Sequence, residues 1–346
     1  MATLRPGEMG GSENYARSLA AALARHGTMQ YVCLVPEDAP DAAGGLPALP
    51  VRGLRGSAAR RLVGLAAAAA HGRSLRHALP GVRAAHYPFT VPVPPLGVPA
   101  AVTLHDLLHR DLPHARSSAL RAFRRLAYDR PARRAPLVIV PSGFVRERAV
   151  ELLGVPATRV RVVHHGIDHE RFRPEPGPRE PFILYPAHAW PHKNHARLLA
   201  AFALVRKERP ELRLVLTGGG HEAPRFPEGV VSLGLVSGEE LASLYSRAAA
   251  LVFPSLHEGF GLPPLEAMAC GCPVACSNAT SLPETCGDAA VYFDPRSPQD
   301  IAAGVLLALG EADRLRPLGL ERARGFTWQR SARAHEEAYR WLVDGR

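Results

Sequence analysis

The 346-residue chain lacks any apolar run long enough to cross a bilayer; its longest, LVGLAAAAA at positions 62–70, is under half of the roughly 20 residues a spanning helix needs. No basic stretch followed by an apolar segment opens the chain, so no secretory leader is expected and the protein is read as cytoplasmic. Aromatic residues make up 6% and are not interleaved with the arginines, which argues against nucleic acid as a partner. A glycine-rich loop ending in lysine in the Walker order is missing, which counts against nucleoside triphosphate hydrolysis. The five cysteines lack CxxC spacing, and CGCPVAC at 270–276 reads as a turn entering a buried strand, so no metal is expected. Lysine is nearly absent as well. Of 42 basic residues only Lys193 and Lys207 are lysines, so an arginine carries little functional information here and a lysine somewhat more.

What is present is globular. Hydrophobic residues are 47%, charged residues 21% and mean hydropathy is −0.06. The length predicts about two domains. The net charge of +10 is uneven, because residues 1–174 hold 24 basic and 12 acidic side chains, whereas 175–346 hold 18 and 20.

Apolar runs of strand length alternate with helical patterns, which predicts two α/β units with doubly wound parallel sheets. The expected strands are 30–36, 84–88, 100–104, 137–141 and 160–164, then 181–185, 212–217, 230–233, 250–254, 273–277 and 290–293. Between the sets lies RFRPEPGPREP at 171–181, too rich in proline for a helix or central strand, so domains are expected at 1–173 and 174–325. Residues 326–346 read as a final amphipathic helix with Phe326, Ala332, His335, Ala338, Tyr339 and Trp341 or Leu342 inward, crossing back to the first domain. Only Met1–Pro6 precede the first glycine turn, so the first strand of the first domain is expected to be truncated.

Four turns could carry chemistry. In GEMGGSE, Gly10 and Gly11 open a helix whose amides and dipole suit a phosphate or carboxylate; a plain strand-to-helix turn fits equally. In YPAHAWPHKN, Lys193 sits where a strand ends and a helix begins, as a diphosphate-neutralising ammonium or as a solvated lysine. TGGG at 217–220 lets backbone approach a ligand. In EGFGLPPLE, Glu258 opens a tight turn and Glu266 follows eight residues later on the next helix, so each could bind the vicinal hydroxyls of a sugar or ribose.

EGFGLPPLE, the upstream HKN and MGGSE together resemble the retaining, nucleotide-sugar-dependent glycosyltransferases of family 4. Further matches are TLHDL at 103–107, PSGFVRERAVELLGV at 141–155, HHGIDHERFRP at 164–174, SLGLVSGEELASLYSRAAALVFPS at 232–255 and SNATSLPETCGDAAVYFDP at 277–295. The resemblance runs from about Arg5 to Trp341. It implies the GT-B fold, two Rossmann-like domains facing a central cleft. It also implies that Glu258 contacts the donor sugar, Glu266 the ribose and Lys193 the diphosphate. Gly10 and Gly11 would approach the diphosphate from the first domain and His105 would sit beside the sugar, unless it merely caps a strand end. Thr217, Gly218, Val236, Gly259, Phe260, Gly261 and Leu262 would line the donor. His188 departs from the pattern, since many members carry an arginine there as a second cation.

By the same resemblance no metal or other cofactor is needed. Lys193 and the amides stabilise the leaving diphosphate, the acceptor hydroxyl attacks from the same face, and configuration is retained. The donor expected first is GDP-mannose and second a UDP-sugar, with a glycan, lipid-linked or small-molecule acceptor; a non-catalytic sugar-nucleotide binder is the alternative. The arginines at 110, 116, 121, 124, 125, 130, 133 and 134 form a basic face beside Leu120, Phe123 and Leu126 that is either solvated or a peripheral contact with an anionic membrane.

Overall fold

The computed structural model describes residues 1–7, 9–51, 70, 72–113, 117–220 and 226–345. Glu8 of the first glycine turn, Arg116 and most of the apolar run at 62–70 lie outside the described residues. Two compact units emerge, Met1–Gly166 with Trp328–Arg346, and Ile167–Thr327.

In the first unit the strands are β1 (Cys33–Pro36), β2 (Ala48–Val51), β3 (Ala85–Tyr87), β4 (Ala100–Thr103), β5 (Leu137–Val140) and β6 (Val160–Val162). In the second they are β7 (Glu180–Pro186), β8 (Arg213–Thr217), β9 (Val230–Ser232), β10 (Ala248–Phe253), β11 (Val274–Ser277) and β12 (Val291–Phe293). Every strand pair is parallel. The longer helices are α1 (Gly11–His26), α2 (Ser118–Arg124), α3 (Gly143–Leu153), α4 (His195–Glu208), α5 (Gly238–Arg247), α6 (Leu262–Ala269), α7 (Pro298–Gly310), α8 (Ala312–Arg324) and α9 (Trp328–Asp344). Among the described residues no helix is long and apolar enough to cross a membrane.

The second unit holds one six-stranded sheet in the order β12-β11-β10-β7-β8-β9. Its central strands are apolar on both faces because helices cover both, as the unbroken runs FILY and ALVF require. The chain winds from β7 outward through β8 and β9, then returns to β10 on the other side of β7. That reversal is a topological switch point, where the loops after β7 and β10 diverge at the carboxyl edge and leave room for a ligand.

The proline-rich segment 171–181 is not a linker. Phe172 is buried against Tyr245, with ring centroids 6.0 Å apart, and the Arg179 guanidinium donates to the carbonyls of Tyr245, Ala248, Cys270 and Gly271 at 2.6–3.1 Å. These bonds stitch it to the second unit, so the boundary falls at Gly166/Ile167 rather than after residue 173.

The first unit departs from the single expected sheet. Among the described residues β1 pairs only with β2, while β3-β4-β5-β6 form a separate four-stranded sheet. Met1–Pro6 form turns rather than a strand, with Ala2 and Leu4 buried. The final helix α9 belongs to this unit and packs on α1. It buries Ala332, His335, Glu336, Ala338, Tyr339 and Leu342, whereas Phe326 joins the core of the second unit.

Two polar networks fix α9. The Glu336 carboxylate accepts from the Thr28 amide (2.5 Å) and hydroxyl (2.8 Å), the Met29 amide (3.0 Å) and the Tyr31 hydroxyl (2.6 Å). Burial alone would raise its pKa, but these donors outweigh that and hold it below the ordinary value.

The second network is a chain. His335 Nδ1 lies 2.8 Å from the Ser331 carbonyl, which can only accept, so Nδ1 carries the hydrogen. Burial lowers the His335 pKa to about 4, so the ring is neutral and Nε2 accepts from the Tyr15 hydroxyl at 2.8 Å. Tyr15 must then accept from Thr103 (3.0 Å), Thr103 from His86 Nε2 (2.7 Å), and His86 Nδ1 from Tyr339 (2.7 Å). Burial, and the facing His335, His105 and amino terminus, hold His86 neutral too.

Candidate functional site

The switch point of the second unit gathers most of the residues expected to bind a donor. Lys193 closes a short turn, Pro191–Lys193, between β7 and α4. Its backbone is pinned from both sides, the amide donating to the Trp190 carbonyl (2.9 Å) and the carbonyl accepting from the Tyr185 hydroxyl (2.5 Å). Asn194 follows in the left-handed region (φ 66°) and its amide nitrogen donates to the carbonyls of Pro254 (3.0 Å) and Pro295 (2.7 Å). One buried side chain thus ties together the loops after β7, β10 and β12, a role with no signal in the sequence beyond its place beside the lysine. The Leu256 amide adds a bond to the His192 carbonyl at 2.8 Å.

From the loop after β10, Glu258 reaches Lys193: Nζ and Oε1 are 2.6 Å apart, with side chains 13% and 14% exposed. The ammonium also lies 5.2 Å from the centroid of buried Phe253. Glu258 is held by Thr280, whose hydroxyl accepts its amide (3.0 Å), and by Ser281, whose hydroxyl donates to its carbonyl (3.0 Å). Thr280 has φ 59°, a sparsely populated conformation for a β-branched residue. The carbonyl of Phe260 accepts from Ser281 (3.0 Å) and Thr285 (2.6 Å), which fixes the Gly259–Phe260–Gly261 turn.

Gly261 caps α6 at φ 107°, where a Cβ would lie 2.7 Å from Leu282. Leu262 opens the helix and Pro263 and Pro264 follow. Prolines have no N–H, so the amides of Gly261 and Leu262 are the donors this helix start can offer a ligand.

One helical turn on, Glu266 accepts from the Tyr245 hydroxyl at 3.2 Å. Burial raises its pKa to about 7. At pH 5 the folded carboxyl keeps its proton while the unfolded one is already losing it. Stability therefore falls as pH rises from about 4.5 and levels off above about 7. Glu266→Gln, uncharged throughout and still an acceptor for Tyr245, should melt a few degrees above wild type at pH 8 and close to it at pH 4.5. Equal shifts at the two pH values would refute this.

The loops after β7 and β8 form the other side of the site. Ala187 donates to the Thr217 carbonyl (2.9 Å) and Ala189 to that of Gly219 (3.0 Å). Gly218 has φ 122°, and a Cβ there would sit 2.5 Å from the Ala187 carbonyl oxygen, so only glycine allows the two loops to touch. His188 stands at the position of the expected second cation. Its Nδ1 accepts from the Gly219 amide at 3.1 Å and its ring stacks on Trp190 at 5.0 Å. An accepting Nδ1 carries no hydrogen, so in this arrangement His188 is the neutral Nε2–H tautomer and does not replace the arginine's charge. Val236, between β9 and α5, is half-buried against the core of the unit.

Gly10, Gly11 and His105 belong to the first unit. Gly10 caps α1 with φ 52°, and a Cβ on Gly11 would meet nothing within 4 Å. The start of α1 already holds an anion of its own, because Glu13 accepts from the Gly7 amide (2.8 Å) and from Arg17 (2.9 Å). His105 follows β4 and its Nε2 donates to the Pro88 carbonyl at 2.7 Å. Its ring lies edge-on to Tyr15 at 4.9 Å, and burial lowers its pKa. The five cysteines are buried thiols; burial pushes Cys270 and Cys272 up to about 12.

Of the eight arginines on the basic face, Arg110 pairs with Asp129 (2.5 Å) and Arg124 with Asp106 (3.3 Å). Arg121 and Arg133 donate to the carbonyls of Pro113 and Leu153. Arg125, Arg130 and Arg134 are exposed beside Phe123 (49% exposed) and Leu126 (62%).

Comparison with known proteins agrees with the fold and the motifs. Residues 9–171 match the family described as Glycosyltransferase Family 4 and residues 167–319 match Glycosyl transferases group 1. O-antigen chain mannosyltransferase B of Escherichia coli is 34% identical over 234 residues, 60% of this chain and 61% of that protein. The MMP alpha-(1->4)-mannosyltransferase of Mycolicibacterium hassiacum is 32% identical over 261 residues, 68% of this chain and 63% of that protein. In both, the match spans less than two thirds of the relative. Among solved structures, sucrose-phosphate synthase of Thermosynechococcus elongatus superposes with TM-score 0.75 at 21% identity, over 97% of this chain and 94% of its own. Anabaena HepE in complex with UDP and glucose gives 0.73 at 16%, over 97% of each chain. These likenesses show a shared GT-B architecture of two Rossmann-like domains. The chain belongs to the family 4, group 1, glycosyltransferases.

Proposed function

We propose that the protein is a retaining hexosyltransferase that takes a sugar from a nucleoside-diphosphate donor, GDP-mannose first and a UDP-sugar second, to a hydroxyl of a glycan, lipid-linked or small-molecule acceptor. The observation that carries the proposal is the meeting of Lys193 and Glu258 at the switch point, between an N–H-bearing helix start and a glycine turn. Lys193 is proposed to take the diphosphate, Glu258 the sugar hydroxyls and Glu266 the ribose. Thr217, Gly218 and Val236 are proposed as further donor contacts, and for His105, Gly10 and Gly11 of the first unit that role rests on the family resemblance alone. The mannosyltransferases among the relatives support mannose, and the UDP complex of the Anabaena protein supports a nucleotide donor.

The chemistry follows from charge. When the glycosidic bond breaks, negative charge grows on the diphosphate. A lysine and two amides fixed beforehand stabilise that charge without reorganising water. The diphosphate oxygen can then accept the proton of the acceptor hydroxyl attacking from the same face, so no metal is assigned a step.

The test is a melting panel with GDP, UDP, ADP and TDP, with and without magnesium, followed by transfer assays. A nucleotide at about 100 times its dissociation constant adds about 2.7 kcal/mol, a rise of a few degrees. One diphosphate should raise the midpoint without magnesium, and its sugar should be transferred with retention. Binding without turnover on any acceptor would favour a non-catalytic sugar-nucleotide binder, and no shift with any base would sink the donor site.

The exposed pair Phe123 and Leu126, flanked by Arg125, Arg130 and Arg134, supports a peripheral contact with anionic lipid on the acceptor side. The protein should float with phosphatidylglycerol vesicles and not with phosphatidylcholine ones, and the double variant Phe123→Ser, Leu126→Ser should stay behind. Equal flotation of the variant would leave this face a solvated one.

A further inference from the structure

Resting on the donor site proposed above, a further property concerns how the site empties. We propose that Glu258 and the diphosphate compete for Lys193, so that the carboxylate displaces the spent nucleotide once the sugar has left.

Both backbones are immobilised. Lys193 is held through Trp190 and Tyr185, and Glu258 through Thr280 and Ser281. Only the side chains can exchange partners, and without a donor they are bonded to each other at 2.6 Å. Among the described residues Glu258 is the only carboxylate within ion-pair reach of Lys193. Both groups are nearly shielded from water, so their attraction exceeds that of a surface pair.

A diphosphate arriving at the ammonium must therefore displace a resident anion. The carboxylate it displaces is left beside further negative charge. With a sugar attached, hydroxyls hydrogen-bond to the freed carboxylate and offset that loss. After transfer the sugar is gone, the carboxylate has lost those donors, and its best remaining partner is Lys193. Donor binding is thereby favoured over product binding by one side chain, with no movement of the backbone.

The experiment is calorimetric titration of GDP and UDP, and of GDP-mannose and UDP-glucose, into wild type, Glu258→Gln, Lys193→Met and the double variant, all checked for folding by urea melts. Glu258→Gln should bind the matching diphosphate about tenfold more tightly than wild type and its sugar-bearing form no more tightly. The gain should vanish in the Lys193→Met background. An unchanged diphosphate affinity in Glu258→Gln overturns the competition, and so does a gain that survives without the lysine, which would be plain repulsion. If Glu258→Gln melts early, Glu258→Ala takes its place with the same expectations. Failure of the donor site itself looks different: either neither nucleotide binds wild type, or Lys193→Met binds as well as wild type does.

Discussion

Replacing Lys193 by alanine should lower kcat/KM for transfer about a thousandfold, the equivalent of about 4 kcal/mol. The loss should appear in kcat more than in donor KM, because charge on the diphosphate grows as the bond breaks. The fold should survive, since the structural bonds at this position run through the main chain, to Trp190 and from Tyr185. Asn194, whose side chain straps three loops, remains in place. Lys193→Arg should recover only part of the rate, because a planar guanidinium cannot fill the place of a compact ammonium over Phe253. Transfer within tenfold of wild type by the alanine variant, at equal melting temperature, would remove Lys193 from the reaction.

The largest effect on stability is expected in the first unit, at Glu336. Glu336→Ala leaves two amides and two hydroxyls around Thr28, Met29 and Tyr31 without their acceptor in a place that is 2% exposed. Such a loss costs about 3–5 kcal/mol, a large share of the 5–15 kcal/mol typical of a folded domain. Glu336→Gln keeps one carbonyl acceptor and should lose less. The folded pKa lies below the unfolded one, so this carboxylate stabilises fully above about pH 4.5 and loses its effect as pH falls through the folded value. The gap between wild type and Glu336→Ala in urea midpoints should therefore narrow in acid. A gap independent of pH would mean that packing and not charge anchors the helix.

These two residues show what sequence can and cannot convey. The strands were legible because parallel sheets covered on both faces leave continuous apolar runs, and each of the eleven expected runs overlaps an observed strand. β2 was missed, being short, rich in proline and alanine, and exposed along half its length. Lys193 and Glu258 were each legible from residue type and motif. Their bond was not, because it depends on β10 returning to lie beside β7, a fact about sheet order that no local spacing encodes. Glu336 was invisible, since a glutamate beside Glu337 in the middle of a charged helix reads as solvated, and its donors at Thr28 and Tyr31 lie 308 and 305 positions away. The proline-rich segment misled for the opposite reason. Proline disfavours helix and central strand, which holds for 171–179, although Glu180 and Pro181 open the central strand β7, and it does not exclude a loop sewn down by one arginine.

The buried line from Tyr339 through His86, Thr103, Tyr15 and His335 to the Ser331 carbonyl has a sense of direction. Each group gives its hydrogen to the next, so the two imidazoles must hold theirs on opposite nitrogens, Nε2 in His86 and Nδ1 in His335. A proton added to His335 from solution would land on Nε2, head-on against the Tyr15 hydrogen. Tyr15 must then turn its hydrogen toward Thr103, whose hydroxyl oxygen can accept from Tyr15 and His86 together only by turning its own hydrogen out of the line. One protonation therefore costs this line a hydrogen bond at a residue that is not itself titrated, and acid loosens α9 at Thr103 as well as at Glu336.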